Sequence, residues 1–300
     1  MSLRPTNDAS FAFINLARRG KITWITWVMM ILMVNALTIG NISSVLFDKF
    51  EQIYPSLYRL SSVEYIFALA VNLIASWFCL RFSIERVERR PIHTLISIDG
   101  TFKPRLILLG MTIWVCAQSF SWILFSVCLR VAFGCWPINF GRINWNPGLS
   151  TILSELVVTS LISFTSIIEE MFFRGWLTQK FGQYIKYRLA TVIIVAIFFS
   201  AGHGKGDWLH YLPFFLLSIG LSILTLYEGR LEIAMGAHIA NNIGVIWYEI
   251  ILINAKPDPK ILFPNTDVKI AISVFLTYSI MLFILIMRRK RSARVRQFIV

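Results

Sequence analysis

Long apolar runs separated by short polar or basic segments are the dominant pattern of this chain. Eight runs can be traced, at about residues 22–47, 63–82, 106–133, 151–176, 189–201, 211–227, 231–253 and 268–287. A bilayer core about 30 Å thick needs roughly 20 apolar residues of helix to cross it. The pattern therefore predicts an all-α, polytopic membrane helix bundle of about eight transmembrane helices. Several runs exceed the minimum length, which predicts tilt. No internal repeat, low-complexity segment or extramembrane domain stands out, so residues 1–300 read as a single integral-membrane domain.

Composition agrees. The chain is 56% hydrophobic and only 15% charged, with a mean hydropathy of +0.66. Soluble domains carry about 25% charged residues, so a soluble globular protein is excluded. The net charge of +13 could suggest a nucleic-acid partner. The basic residues, however, fall at the N-terminus, after runs two, four and six, and at the C-terminus. That alternation is how cytoplasmic segments of membrane proteins look, and it predicts both termini in the cytoplasm. The partner implied is the lipid bilayer, not nucleic acid. No cleavable leader is evident, so the first run is expected to act as its own insertion signal. Phe11, Phe13, Ile14 and Leu16 could form a short interfacial helix before it. The four cysteines lack zinc-like or paired spacing and imply neither metal nor disulfide.

Charge inside an apolar run is a functional-site hypothesis by default. Residues 156–173 are strongly apolar, yet Glu169, Glu170 and Arg174 fall within or beside them. Glu170 and Arg174 are four apart and share a helix face. Glu169 is rotated about 100° away. So Arg174 can neutralise Glu170 while Glu169 faces another wall. The plain alternative is a helix end with an ordinary ion pair. A second oddity is Phe199-Ser200-Ala201-Gly202-His203, and a third is His238-Ile239-Ala240-Asn241-Asn242. His238 and Asn242 share a face; interhelical hydrogen bonding is their plain reading. Gly236 and Gly244 on the same helix fit close helix packing. His93 and His210 receive no role.

Taken together, the three pieces hold the parts for amide hydrolysis. An apolar pocket disfavours a carboxylate's charged form, which suits a glutamate to act as general base. A histidine can help hold the water, and a histidine with an asparagine amide can donate to an oxyanion. No serine or cysteine is paired with a base, which disfavours covalent catalysis. Glu169, His203 and His238 also match a two-histidine, one-carboxylate zinc site, so the residues leave metal and no metal both open. Depth counts are uneven. Glu169 lies roughly 16 Å before Lys180, His238 about 12 Å past Arg230, and His203 about 22 Å past Arg188.

The motifs Glu169-Glu170-x-x-x-Arg174, Phe199-x-x-x-His203 and His238-x-x-x-Asn242, in this order, resemble those of the CAAX-protease and bacteriocin-processing (CPBP, or Abi) family. The resemblance covers about residues 150–250, the catalytic core it implies. It implies an intramembrane endopeptidase acting on a peptide or membrane-protein substrate. Glu169 would activate water with His203, His238 and Asn242 would form the oxyanion hole, and Glu170 and Arg174 would support them. It favours a metal-free glutamate mechanism, with no cofactor and with zinc as the alternative. The short loops look bacterial, implying a multi-pass protein of the inner (plasma) membrane. The competing readings are a non-catalytic binding or bacteriocin-immunity protein and a proton-coupled transporter on the same bundle. The sequence carries no signal for oligomeric state.

Overall fold

A computed structural model describes residues 9–21, 24–28, 58–134, 136, 143, 145–203, 206, 208–252 and 277. Its helices are α1 (Ala9–Asn15), α2 (Tyr58–Phe82), α3 (Pro104–Phe133), α4 (Leu149–Glu170), α5 (Thr178–Tyr184), α6 (Arg188–Ala201), α7 (Trp208–Glu228) and α8 (Glu232–Leu252). Residues 24–28 are also helical. A wide, π-type turn at Met171–Leu177 joins α4 to α5 without a break. A second wide turn, Ser83–Val87, ends α2. Strand-type pairing is limited, among the described residues, to one antiparallel bridge between Ser97 and Arg230. The all-α expectation holds.

Four of these segments are long and apolar enough to cross a membrane: Ile66–Val87, Pro104–Ala132, Leu149–Tyr184 and Trp208–Glu228. The chain is a multi-pass membrane protein. The expected fifth run corresponds to α6, whose 14 residues rise only about 21 Å, short of the bilayer core. The seventh corresponds to α8. The first run, apart from residues 24–28, and the eighth, apart from Thr277, lie outside the described residues.

Local chemistry sets the helix ends. Pro104 stands in the first turn of α3, where a missing N–H costs nothing. Gly134 closes that helix in the left-handed region at φ 68°, its N–H donating to the Arg130 carbonyl. Gly229 repeats the device after α7, also at φ 68°, with its N–H 2.8 Å from the Thr225 carbonyl.

The loop following α2 meets both the loop following α7 and helix α5 at one end of the bundle. Ile98 N–H donates to Gly229 O, and Leu231 N–H to Ile96 O. Arg230 bridges Asp99 at 3.2 Å and Glu232 at 2.7 Å. Lys180, at the other junction, pairs with Glu88 at 2.8 Å. The alternate loops singled out by charge are therefore neighbours in space.

From that end α3 and α8 run side by side, and glycines let their backbones touch. A Cβ on Gly236 would stand 2.0 Å from Ile107 O, and one on Gly110 would stand 2.3 Å from Ile233 O. The close-packing expectation thus holds for Gly236. It fails for Gly244, where an added Cβ meets nothing within 4 Å. The N-terminal helix departs from expectation too. Phe13, Ile14 and Leu16 are buried against α5 and α7, so α1 is a packed element of the core; a Cβ on Gly182 of α5 would collide with Ile14.

Candidate active site

Glu170 and His238 form the centre of the site, and both are withdrawn from solvent. Glu170 Oε1 accepts from Arg174 Nη1 at 2.9 Å, within one helix, and pairs with His238 Nδ1 at 2.8 Å, across to α8. The expected neutralisation of Glu170 by Arg174 is present. The histidine is a second partner that the helical spacing alone does not reveal. A carboxylate only accepts, so His238 carries its proton on Nδ1 when Glu170 is ionised. Its Nε2 then faces Glu169, whose Oε2 lies 3.7 Å away.

Glu169 differs from its neighbour as the 100° offset predicts: its side chain keeps 19% exposure while Glu170 keeps none. One carboxylate is locked inside the protein and the other stays partly uncovered.

One turn further along, the same two helices are tied again. Asn242 Nδ2 donates to Ser166 Oγ at 2.9 Å, and Ser166 Oγ donates in turn to Ile162 O at 2.8 Å. Ser166 precedes Glu170 by four residues, and Asn242 follows His238 by four. The two ties are therefore successive rungs between antiparallel helices. Asn241, turned off that face, donates to Asn242 Oδ1 at 3.2 Å.

His203 reaches the site through aromatic rings. The Phe199 ring lies 4.4 Å from the His203 ring and 5.8 Å from the His238 ring. The Arg174 guanidinium sits 4.3 Å above the same Phe199 ring, a cation–π contact. On its other side His203 stacks on Phe214 at 4.2 Å. His203 Nδ1 bonds to the Phe199 carbonyl at 2.7 Å. A carbonyl accepts only, so that nitrogen holds the proton and Nε2 is the free, lone-pair-bearing atom of the neutral ring. His210, assigned no role from sequence, donates from Nε2 to the His203 carbonyl at 2.9 Å.

The uneven depth counts do not keep the motifs apart. Lys180 is a poor marker of the membrane boundary, because it is almost fully buried and ion-paired to Glu88. Counted from Arg188, His203 is the deepest of the three, yet α4, α6 and α8 deliver their motif residues to one cluster. Phe199, which heads the second motif, belongs to it; Phe214 and Ser166 belong to it too and were missed as contributors. Ser166 alone left a signal, standing one turn before the acidic pair.

Among the described residues, no group of three or more His, Cys, Asp or Glu side chains is placed to hold a metal ion. The contacts of the zinc-type set run from Glu169 to His238, while His203 is reached through Phe199.

An all-helical, multi-pass membrane protein with this cluster has recognisable relatives. Residues 150–244 match the family model for type II CAAX prenyl endopeptidase Rce1-like proteins. The segment that carries Glu169, His203 and His238 is thus similar to the CAAX-protease (CPBP) family. The chain is also 26% identical over 245 residues to the uncharacterized protein YyaK of Bacillus subtilis (strain 168), covering 77% of this chain and 74% of that protein.

Proposed function

We propose that the protein is an intramembrane endopeptidase of the inner membrane that cleaves a peptide or membrane-protein substrate by glutamate-activated water. The observation that carries the reading is the opposed pair of contacts on His238. Glu170 holds its Nδ1 at 2.8 Å, and its Nε2 faces the partly exposed Glu169 at 3.7 Å.

Glu169, partly uncovered, takes a proton from water, and the free Nε2 of His203 orients that water. The hydroxide adds to the scissile carbonyl carbon and the carbonyl π pair moves to oxygen. His238 acts with both ring nitrogens protonated: Glu170 holds Nδ1–H, and Nε2–H is donated to the oxyanion. Asn242 has two N–H donors and Ser166 occupies one, which leaves the other for the same oxygen. The proton on Glu169 then passes to the leaving nitrogen as the C–N bond breaks. Water is consumed, an acid and an amine form, and no cofactor is required.

The test is membrane proteomics of cells carrying wild-type protein or Glu169→Gln, followed by cleavage of the enriched candidate by purified protein. One peptide cut only by wild type supports the reading; a folded Glu169→Gln protein with full peptidase activity removes it. Elemental analysis decides the metal question. Stoichiometric zinc that disappears in His203→Ala would replace the metal-free route.

A further inference from the structure

Outside the site lies a second buried charged cluster. Glu88, in the loop after α2, has no exposed surface. Its Oε2 accepts from Arg90 Nε at 2.7 Å, and its Oε1 accepts from Trp176 Nε1 at 2.6 Å and pairs with Lys180 Nζ at 2.8 Å. Arg90 Nη1 continues to Gln179 Oε1 at 2.6 Å, and Gln179 Nε2 donates to Thr94 O at 2.8 Å. Burial holds the Arg90 guanidinium below its ordinary value, and the adjacent Glu88 charge opposes that shift.

Burying so many charges contributes little net stability, since well-packed apolar residues in their place are often neutral or better. What the cluster does contribute is geometry. Glu88 and Arg90 directly follow the wide turn Ser83–Val87, while Gln179 and Lys180 directly follow the wide turn Met171–Leu177. Trp176 lies inside the latter, two residues from Arg174. Wide turns of this type concentrate at functional sites. This one is held at three points. Trp176 bonds to Glu88. Thr178 Oγ1 donates to the Phe173 carbonyl five residues back, at 2.9 Å. Gly175 brings the backbone against the α2–α3 loop, where a Cβ would stand 2.9 Å from Leu95 O.

We propose that Glu88 is a positioning residue for the site: through Trp176 it fixes the wide turn that aims Arg174 at Glu170, and so sets how Glu170 holds His238. The link to catalysis rests on the endopeptidase reading; the link to His238 geometry does not. An indole N–H on a fully desolvated carboxylate is a directional, charge-assisted bond. It fixes the turn's rotation in a way that apolar packing of Phe172 and Leu177 does not. The relay has four steps, Glu88 to Trp176 to Arg174 to Glu170, ending on His238 Nδ1.

The experiment is proton NMR of ¹⁵N-histidine-labelled protein in micelles, with the Nδ1–H resonance of His238 assigned by His238→Gln. Thermal unfolding and steady-state peptidase kinetics are measured alongside. Trp176→Phe removes the indole donor and keeps the ring; Glu88→Gln removes the charge. The expected result in Trp176→Phe is a shifted or broadened His238 resonance and a kcat lowered roughly 10- to 100-fold with KM within about twofold. If Glu88→Gln does not fold, Trp176→Phe decides alone. An unmoved resonance overturns the proposal whether or not peptidase activity is found. A moved resonance with wild-type kcat overturns the connection to the reaction. A moved resonance in a protein without peptidase activity upholds the positioning role and refutes the endopeptidase reading instead.

Discussion

His238 Nδ1 and Arg174 Nη1 converge on a single oxygen, Oε1 of Glu170, at 2.8 and 2.9 Å. The carboxylate is fully buried, so each donor stabilises a charge that water cannot reach. Removing one partner of such a pair leaves the other uncompensated at a cost of about 3–5 kcal/mol. Arg174→Met should therefore lower stability by about that amount. Arg174→Met combined with Glu170→Met should lose less than the sum of the two single variants, by at least about 1 kcal/mol. Unfolding in detergent micelles, run as a double-mutant cycle, measures this. Strict additivity would mean the pair is not coupled.

The second rung should behave differently from the first. Ser166→Ala deletes one neutral hydrogen bond and should cost about 1 kcal/mol in the same unfolding assay. It leaves the Asn242 amide in place, so peptidase activity should change little. Asn242→Ala removes the amide itself and should lower kcat by roughly 10²- to 10³-fold. Equal losses of activity in both variants would assign Asn242 to helix pairing alone.

Two glycines on α8 separate packing from propensity. Gly236→Ala forces a methyl to within 2.0 Å of the Ile107 carbonyl oxygen. The helices must part, which costs about 1–3 kcal/mol. Gly244→Ala meets nothing within 4 Å and should be neutral or stabilising by about 0.4–1 kcal/mol. Thermal unfolding of the two variants should bracket the wild-type midpoint from below and above.

The clamp joining the loop after α2 to α8 predicts a pH dependence. The Lys103 ammonium, followed by the Thr101 and Ser97 donors, holds the Asp99 carboxyl far below the ordinary carboxylate range. A depressed folded-state value means the contribution is complete above the unfolded value, about 4. It is lost as pH falls from there toward the folded value. The stability difference between wild type and Asp99→Asn should thus be constant from about pH 5 to 8 and shrink below about pH 4. A difference that grows on acidification would contradict the clamp.

Helix identity and the pairing of Glu170 with Arg174 were legible in sequence, because both depend on local spacing. The 100° offset of Glu169 likewise foretold that the two carboxylates face different walls. The bond from Glu170 to His238 was not legible, because it depends on how α4 meets α8, 68 residues away in the chain. Lys180 reads as a surface charge, yet it is buried against Glu88 from a distant loop; that His203 joins the site through Phe199 was not legible from its depth count. Glu88 itself reads as one more acid in a basic loop; only the folded chain shows three donors closing on it. Gly236 and Gly244 look alike in sequence and differ only in what passes beside them.

All seven residues of Met171–Leu177 are enclosed by the protein. Lipid tails cannot reach that stretch. The 19% of the Glu169 side chain that stays uncovered is approached from another side. Fluorophores or crosslinkers placed within Met171–Leu177 would report on the interior of the protein alone.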